Sequence, residues 1–421
     1  MQELKSKKGS YLNLALLILS GEAVFILPYV LARIFRPTFL DVFQLTNLQL
    51  GSLFSVYGTI ALLSYIYGGV LADRFLPRKL ISISMFSTAL GGLVLATFPN
   101  YLTLQVLFGY WGFTTVFLFW GAMIKATRLW GGSISQGKAF GFLDGGRGLV
   151  AASMGSIGVF IFSMILSTDI QSASILERQK AFRYVILFSS FMVALIGLLV
   201  LIFMKSDKAF SSNKINSLYS LTEIKSVLKL PSVWLLMIII MSAYVGYKLT
   251  DIYSLYASDV MLYNQIEAAE VGALQLYLRP IVCVLIGLLA DKSKGISWII
   301  CGFVIMLIGA VIFSSGIVKS NMDILFFISL IITAVGTYAS RALYFAIFQE
   351  GNIPLKYTGT AVGIISVIGY TPDVFASPIM GYLLDTYPGI QGHQYVFTML
   401  VIFSFLGLIA SIKFSRLTKV Y

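Results

Sequence analysis

The chain has 421 residues, of which 58% are hydrophobic and 11% charged, and its mean hydropathy is +0.89. No soluble core of this size hides so much apolar surface, so the composition describes a polytopic integral membrane protein. Two cysteines, Cys283 and Cys301, and one histidine, His393, exclude a disulfide-rich secreted domain and a His/Cys zinc enzyme, and no metal or cofactor is expected.

Twelve apolar runs follow one another, near 11–34, 49–72, 80–98, 102–126, 139–167, 182–204, 231–257, 269–290, 297–317, 324–349, 359–385 and 394–414. Each is long enough to cross a bilayer as a helix, some with tilt. Lys5, Lys7 and Lys8 resemble the basic start of a signal peptide. The apolar run from Tyr11 is too long for one and no small-x-small cleavage site follows, so a retained helix is expected. The longest polar stretch, Lys205–Leu230, divides the chain into six spans over 1–204, a linker over 205–230 and six spans over 231–421.

Alternate connections carry very different charge. Twenty Lys and Arg fall on the side of both termini, against six on the outer side: Arg33, Arg36, Arg178, Lys180, Arg183 and Lys319. This is the positive-inside pattern, and it places both termini in the cytoplasm of a multi-pass inner-membrane protein. The net charge of +12 is thereby mostly topological, and no nucleic-acid partner is needed to explain it.

An internal repeat supports two halves. Gly69-Val-Leu-Ala-Asp73-Arg74 recurs 218 residues later as Gly287-Leu-Leu-Ala-Asp291-Lys292. The same offset carries Lys138-x-x-Gly141-x-x-x-Gly145 onto Lys356-x-x-Gly359-x-x-x-Gly363. An even number of spans per repeat keeps both halves in one orientation, related by an axis along the membrane normal.

Gly69-Val-Leu-Ala-Asp73-Arg74-Phe-Leu-Pro-Arg78-Lys79, between spans 2 and 3, resembles the signature loop of the major facilitator superfamily. Its weaker copy ending at Asp291-Lys292 stands between spans 8 and 9, where that superfamily repeats it; Leu76-Pro77 departs from the usual small residue. The resemblance implies two pseudo-symmetric six-helix bundles. It also implies a conformational latch built from Gly69, Asp73, Arg74, Arg78, Asp291 and Lys292. The segment from Phe119-Trp120 through Lys125 and Arg128 to Gly148 is similar to bacterial permeases grouped with sugar-phosphate, nitrate and organic-anion carriers, which implies an anionic solute.

Eight charged residues sit inside the spans: Glu22, Asp144, Arg147, Lys248, Asp251, Arg279, Arg341 and Asp373. Facing lipid, each would cost roughly 2.5–3.5 kcal/mol, so they are expected to face protein or a water-filled cavity. All eight lie on spans that line the central cavity in the resembled superfamily. Arg147 and Arg341, one per half, are placed to clamp an anion with their planar forks. Arg279, Lys248, Lys125 and Tyr244 are further substrate-binding candidates. Internal pairing of Asp144 with Arg147 and of Lys248 with Asp251, both at i,i+3, is an equal alternative. Arg279 and Arg341 have no acid within a turn in sequence and are favoured for substrate. Glu22 and Asp373 lead the proton-coupling candidates, with Asp144 and Asp251 behind them, because apolar surroundings favour the neutral form of a carboxyl group.

Other features read as structure. Pro28, Pro280, Pro372 and Pro378 are expected to bend helices, and the glycines of span 5 to allow close approach. His393 is assigned to an outer loop without a role. The expectation is a monomeric secondary transporter of a small anion, driven by protons, in a bacterial inner membrane. Anion exchange, export of amphipathic compounds and a membrane sensor on the same fold are the alternatives. An enzyme is not expected, since no nucleotide loop or nucleophile–base pair is present.

Overall fold

The computed structural model describes residues 11–131, 136–166, 173–205, 225, 227–290, 293–344, 347, 350–351, 353 and 358–417. Among them the ordered elements are all helical, and twelve stretches are long and apolar enough to cross a membrane. Spans 1 to 6 are Tyr11–Ile34, Asn47–Tyr65, Pro77–Leu95, Tyr101–Thr127, Gly141–Ile165 and Ile175–Phe203. Spans 7 to 12 are Pro231–Asp259, Gln265–Ala290, Gly295–Ser314, Asp323–Leu343, Ile364–Thr386 and Ile390–Leu417. Most of the stretch read as a linker, 206–224 and 226, lies outside the described residues.

Helices dominate because a spanning backbone must satisfy its own hydrogen bonds, and capping residues close the ends that helices leave open. Thr46 with Gln49 and Ser174 with Glu177 form capping boxes, and the Asn100 side chain accepts from the Thr103 amide. Pro77, Pro231 and Pro372 open their helices, where a missing N–H does no harm.

The helices break where the charges gather. Span 1 passes through a π-helical turn at Ile26–Val30, containing Pro28, and bends again at Phe35. Span 4 holds a second π-helical stretch at Phe113–Trp120. Span 7 tightens to a 3₁₀ turn at Thr250–Ile252, and in span 11 the helix restarts at Pro372 after Gly369. Such irregularities redirect side chains by a fraction of a turn and recur at functional sites.

Each half has its own hydrophobic core, one running from Leu16 to Met204 and joined by Ala269, Ala273 and Leu276, the other from Val227 to Phe414. The halves meet along two seams, span 2 against span 11 and span 5 against span 8. Because spans alternate, Tyr11 and Leu417 mark one end of the bundle, here the terminal end; the opposite end is the far end.

The seam between spans 2 and 11 is tight toward the far end. A Cβ on Gly51 would stand 2.4 Å from the Ser377 carbonyl oxygen, and one on Gly381 2.3 Å from that of Asn47, so these backbones touch. From Gly148 the seam between spans 5 and 8 opens toward the terminal end. A Cβ at Gly148 would lie 3.0 Å from Arg279 and one at Gly145 3.7 Å from Val284, while at Gly141 nothing described comes within 4 Å.

Three expectations about placement need correction. Arg33 and Arg36 are not outer-loop residues: each is 2% exposed, Arg33 near the end of span 1 and Arg36 on the short helix Arg36–Phe43. Burial lowers Arg36 to a pKa of about 10, and its guanidinium bonds to Asn47 Oδ1. Span 6 starts at Ile175, so Arg178, Lys180 and Arg183 lie on its first turns, where Arg178 pairs with Asp41. His393 is fully buried on the first turn of span 12, its Nε2 3.1 Å from Asp259 Oδ2. Spans 6 and 12 extend past their apolar runs, and Arg33, Arg36 and His393 are buried against Asp251, Asn47 and Asp259 of other elements.

Candidate functional site: a charge network between the halves

The charged residues of the spans converge in two linked groups. Toward the far end, Arg33 Nε is 2.5 Å from Asp251 Oδ1 and its Nη1 donates to the Tyr247 hydroxyl at 3.0 Å. Asp251 Oδ2 is 3.5 Å from Lys248 Nζ, which is also 3.5 Å from Asp373 Oδ1. The Tyr244 hydroxyl donates to the Asp373 carboxylate at 3.0–3.1 Å. The Lys248 ammonium lies over the rings of Tyr29 and Phe54, at 4.3 and 4.9 Å from their centroids.

Toward the terminal end, Arg147 Nε is 3.0 Å from Glu22 Oε2 and its Nη1 is 3.6 Å from Asp144 Oδ1. Arg279 reaches across from the second half, with Nη2 2.7 Å from Asp144 Oδ1 and Nη1 3.5 Å from Glu22 Oε1. Two links between the halves are therefore reciprocal: a first-half cation, Arg33, on a second-half acid, and a second-half cation, Arg279, on two first-half acids.

Tyr247 joins the groups. Its ring lies 3.7 Å from the Arg341 guanidinium carbon, 4.6 Å from that of Arg33 and 5.9 Å from that of Arg279. Arg341 is the exception in the network. Among the described residues it is the intramembrane cation with no carboxylate at ion-pairing distance, and its buried Nη1 has no hydrogen-bond partner. Around it stand Tyr65 and Tyr370, stacked at 6.1 Å, and Tyr244, whose ring is 4.8 Å from that of Tyr370. Arg147 adds Phe25 and Trp120, at 5.6 and 5.7 Å. A buried guanidinium with a free edge and an aromatic face can take a planar anion in a bidentate bond.

Both i,i+3 pairs read from the sequence are present, Asp144 with Arg147 and Lys248 with Asp251. Each acid, however, has a shorter partner in the opposite half. Arg279, without an acid nearby in sequence, is held by two. Lys125 sits elsewhere: its ammonium donates to the Ala72 carbonyl at 2.9 Å, near the C-terminal end of the helix Asn47–Arg74, where a cation meets the negative end of the helix dipole. Of the latch residues, Gly69, Asp73 and Arg74 fall on the last turns of that helix with side chains outside the described set, and Asp291 and Lys292 lie outside the described residues. Arg78 is half-buried on the first turn of Pro77–Leu95.

Sequence reasoning missed Arg33, and it named Tyr247 only among tyrosines that could line the cavity or pack. The signal for Arg33 was available: Arg33 and Asp251 are 218 residues apart, the offset of the internal repeat. Two opposite charges at repeat-equivalent positions of spans 1 and 7 meet on the axis that relates the halves. A separate groove of about 690 Å³ between spans 5 and 8, lined by Ser156, Tyr263, Glu267 and Tyr277 among others, holds none of these network charges.

Two bundles of six spans, related by a repeat and joined around a buried polar centre, define a transporter fold. The sequence matches the Major Facilitator Superfamily over residues 14–371, and the chain belongs to that family. It is 28% identical over 412 residues to the inner membrane protein YqcE of Escherichia coli (strain K12), covering 94% of each chain. It is 26% identical over 414 residues to the inner membrane protein YihN of the same organism, covering 96% of this chain and 95% of that one. Among solved structures it is similar to a bacterial homologue of the human lysosomal transporter Spinster, in an inward-facing, unoccupied conformation. There the TM-score is 0.72 at 17% identity, over 96% of this chain and 97% of the other. The nucleoside transporter NupG is similar in fold, with a TM-score of 0.69 at 14% identity over 96% and 99%. Family members of this kind sit in a lipid bilayer and carry small-molecule substrates.

Proposed function

We propose that the chain is a proton-coupled secondary transporter of a small anion, working by alternating access in a bacterial inner membrane as a monomer. The observation that carries the anionic substrate is Arg341. Every other network cation is matched by carboxylates, whereas Arg341 offers an unpartnered buried donor beside a wall of tyrosines. The distribution of basic residues, twenty against five once Arg33 is counted in span 1, supports a cytoplasmic terminal end, so the arrangement described above faces inward. Similarity to two inner membrane proteins supports the location. The signature loop after span 2 is assigned to closing the terminal end in the opposite state.

Proton coupling is assigned to Asp373 ahead of Glu22. Glu22 is committed to two guanidinium groups, while Asp373 shares a single ammonium with Asp251, which has Arg33 as well. The ion pair at Asp373 is the easiest to give up, and Tyr244 holds that carboxylate in place. Purified protein in proteoliposomes tests the reading. Uptake of an anion should follow an imposed proton gradient and collapse with a protonophore, and Asp373→Asn should abolish accumulation while sparing counterflow. Exchange without response to the gradient makes the protein an antiporter of anions. Movement of cationic amphiphiles makes it an exporter, and no movement of any solute makes it a sensor on a transporter fold.

A further inference from the structure

The groove between spans 5 and 8 lies apart from the charge network, and its two walls come from opposite halves. Val159, Phe160 and Ser163 of span 5 line it together with Glu267, Glu270 and Leu274 of span 8, around a space of about 690 Å³. Each set follows the spacing of three and four that marks a single helix face. Phe160 is 62% and Leu274 52% exposed, at a depth where the surroundings are acyl chains. Toward the middle of the membrane the groove ends at a bond between the Ser156 and Tyr277 hydroxyls, 3.0 Å apart. The other end is acidic. Glu267 and Glu270 are exposed on the first two turns of span 8, and Tyr263 beside them donates to Asp323 Oδ1 at 2.7 Å. No lysine or arginine lines the groove among the described residues.

We propose that this groove binds one phospholipid of the far-end leaflet whose head carries a primary ammonium, phosphatidylethanolamine being the simplest. One acyl chain lies along the apolar walls, and the ammonium meets Glu267 and Glu270 at the mouth. An apolar groove inside the spans gives water no partners, whereas a chain fills it at no polar cost. The head is chosen by charge. A primary ammonium offers N–H donors to carboxylates in charge-assisted bonds. A quaternary ammonium has no such donor, and an anionic head meets like charge. Because one wall belongs to each half, a lipid seated here touches both and stabilises the arrangement in which spans 5 and 8 stand together at this level. This site is independent of the substrate and of Arg341.

Two measurements on the full chain test the site. In native mass spectrometry the wild type should retain phosphatidylethanolamine about two- to fivefold more readily than phosphatidylglycerol or phosphatidylcholine of the same chains. The same lipid should raise its thermal midpoint the most. Glu267→Gln combined with Glu270→Gln should erase both preferences. Glutamine keeps an acceptor for the Asn264 amide, which Glu267 Oε2 accepts at 2.9 Å, so the start of span 8 survives. In liposomes of equal parts phosphatidylethanolamine and phosphatidylglycerol, a trace of phosphatidylethanolamine with a photoactivatable acyl chain should crosslink to 159–163 and 270–274. Leu274→Trp, which fills the groove from an exposed position, should remove the crosslinks at 159–163 and spare those on other spans. Crosslinks spread evenly over the lipid-facing helices and unmoved by Leu274→Trp would overturn the site in favour of ordinary annular lipid. Retention of the three lipids alike by the wild type would overturn recognition of the ammonium head.

Discussion

The two ends of the seam between the halves are built differently. At the far end the contact is made of fixed backbone groups. The Asp385 carboxylate of span 11 accepts the Asn47 and Leu48 amides at 2.9 and 2.7 Å, the first two open donors of span 2. Thr46 takes the third from Gln49, so a helix end that would otherwise need water is closed by the opposite half. Thr38 and Asp41 bond the Gln265 side chain at the start of span 8 in the same way. Toward the terminal end, spans 5 and 8 part from Gly148 to Gly141. The comparison teaches where conformational energy is stored. The far end closes by short polar bonds that water can replace one for one, so it can open at modest expense. The middle is held by buried ion pairs that water replaces only once the halves separate.

If the central ion pairs carry the assembly, breaking one there should have the largest effect. Arg279→Ala leaves Glu22 and Asp144 sharing Arg147 alone, and removing one partner of a buried ion pair costs about 3–5 kcal/mol. Yield and thermal midpoint should fall steeply. Arg279→Lys, which keeps the charge, should restore the fold and only part of the transport. A stable Arg279→Ala protein with a normal melting profile would show that water already reaches these carboxylates.

Arg33 and Asp251 sharpen the comparison, because they stand between the closed far end and the central group. Arg33→Leu alone should destabilise by a similar 3–5 kcal/mol, since it strips Asp251 of its shortest partner. Combining Arg33→Leu with Asp251→Leu replaces the pair by apolar groups and should recover most of the stability. Transport should stay lost in the double variant, because Lys248 then keeps Asp373 as its sole carboxylate partner in the network and holds it more firmly. Thermal melts of the single and double variants, set beside uptake in liposomes, separate the two roles.

How much of this was legible before the fold was known varies by type of feature. The spans follow from hydropathy and the two halves from the repeat, which are local or periodic properties. The i,i+3 pairs were equally readable, because a helix sets their distance. Arg279 shows the limit: Glu22 and Asp144 belong to the other half, and no spacing along the chain announces a contact across two bundles. Arg33 was misread for a different reason. An arginine at the end of an apolar run resembles the start of a loop, and only its repeat mate Asp251 marks it as buried. Lys125 was misplaced because it shares a span with cavity-lining residues, and the helix carries it past them to the Ala72 carbonyl.

The smallest effect should come from the far-end cap itself. Asp385→Asn keeps the shape of the side chain and one acceptor oxygen, so the fold should survive; what is lost is the negative charge at the N-terminus of span 2. Such a charge is worth about 0.3–1 kcal/mol at an exposed helix end, which corresponds to roughly a two- to fivefold change in an equilibrium. The lost stabilisation belongs only to the state with the far end closed, so the balance should move toward the state open at that end. Cys283 reports it. This half-buried thiol lies on span 8 next to Val282 and Ile286, in the apolar cluster that includes Tyr247, on the part of the span that the parted seam exposes. In a Cys301→Ser background, a hydrophilic maleimide applied from the terminal side should label Cys283 more slowly in Asp385→Asn than in its parent, by no more than about fivefold. Adding the reagent from the far side should produce the opposite change. Equal labelling in both proteins would mean that the Asp385 bonds are matched by water as soon as they break, and the closed far end would then rest on the glycine contacts at Gly51 and Gly381 and on the bonds to Gln265.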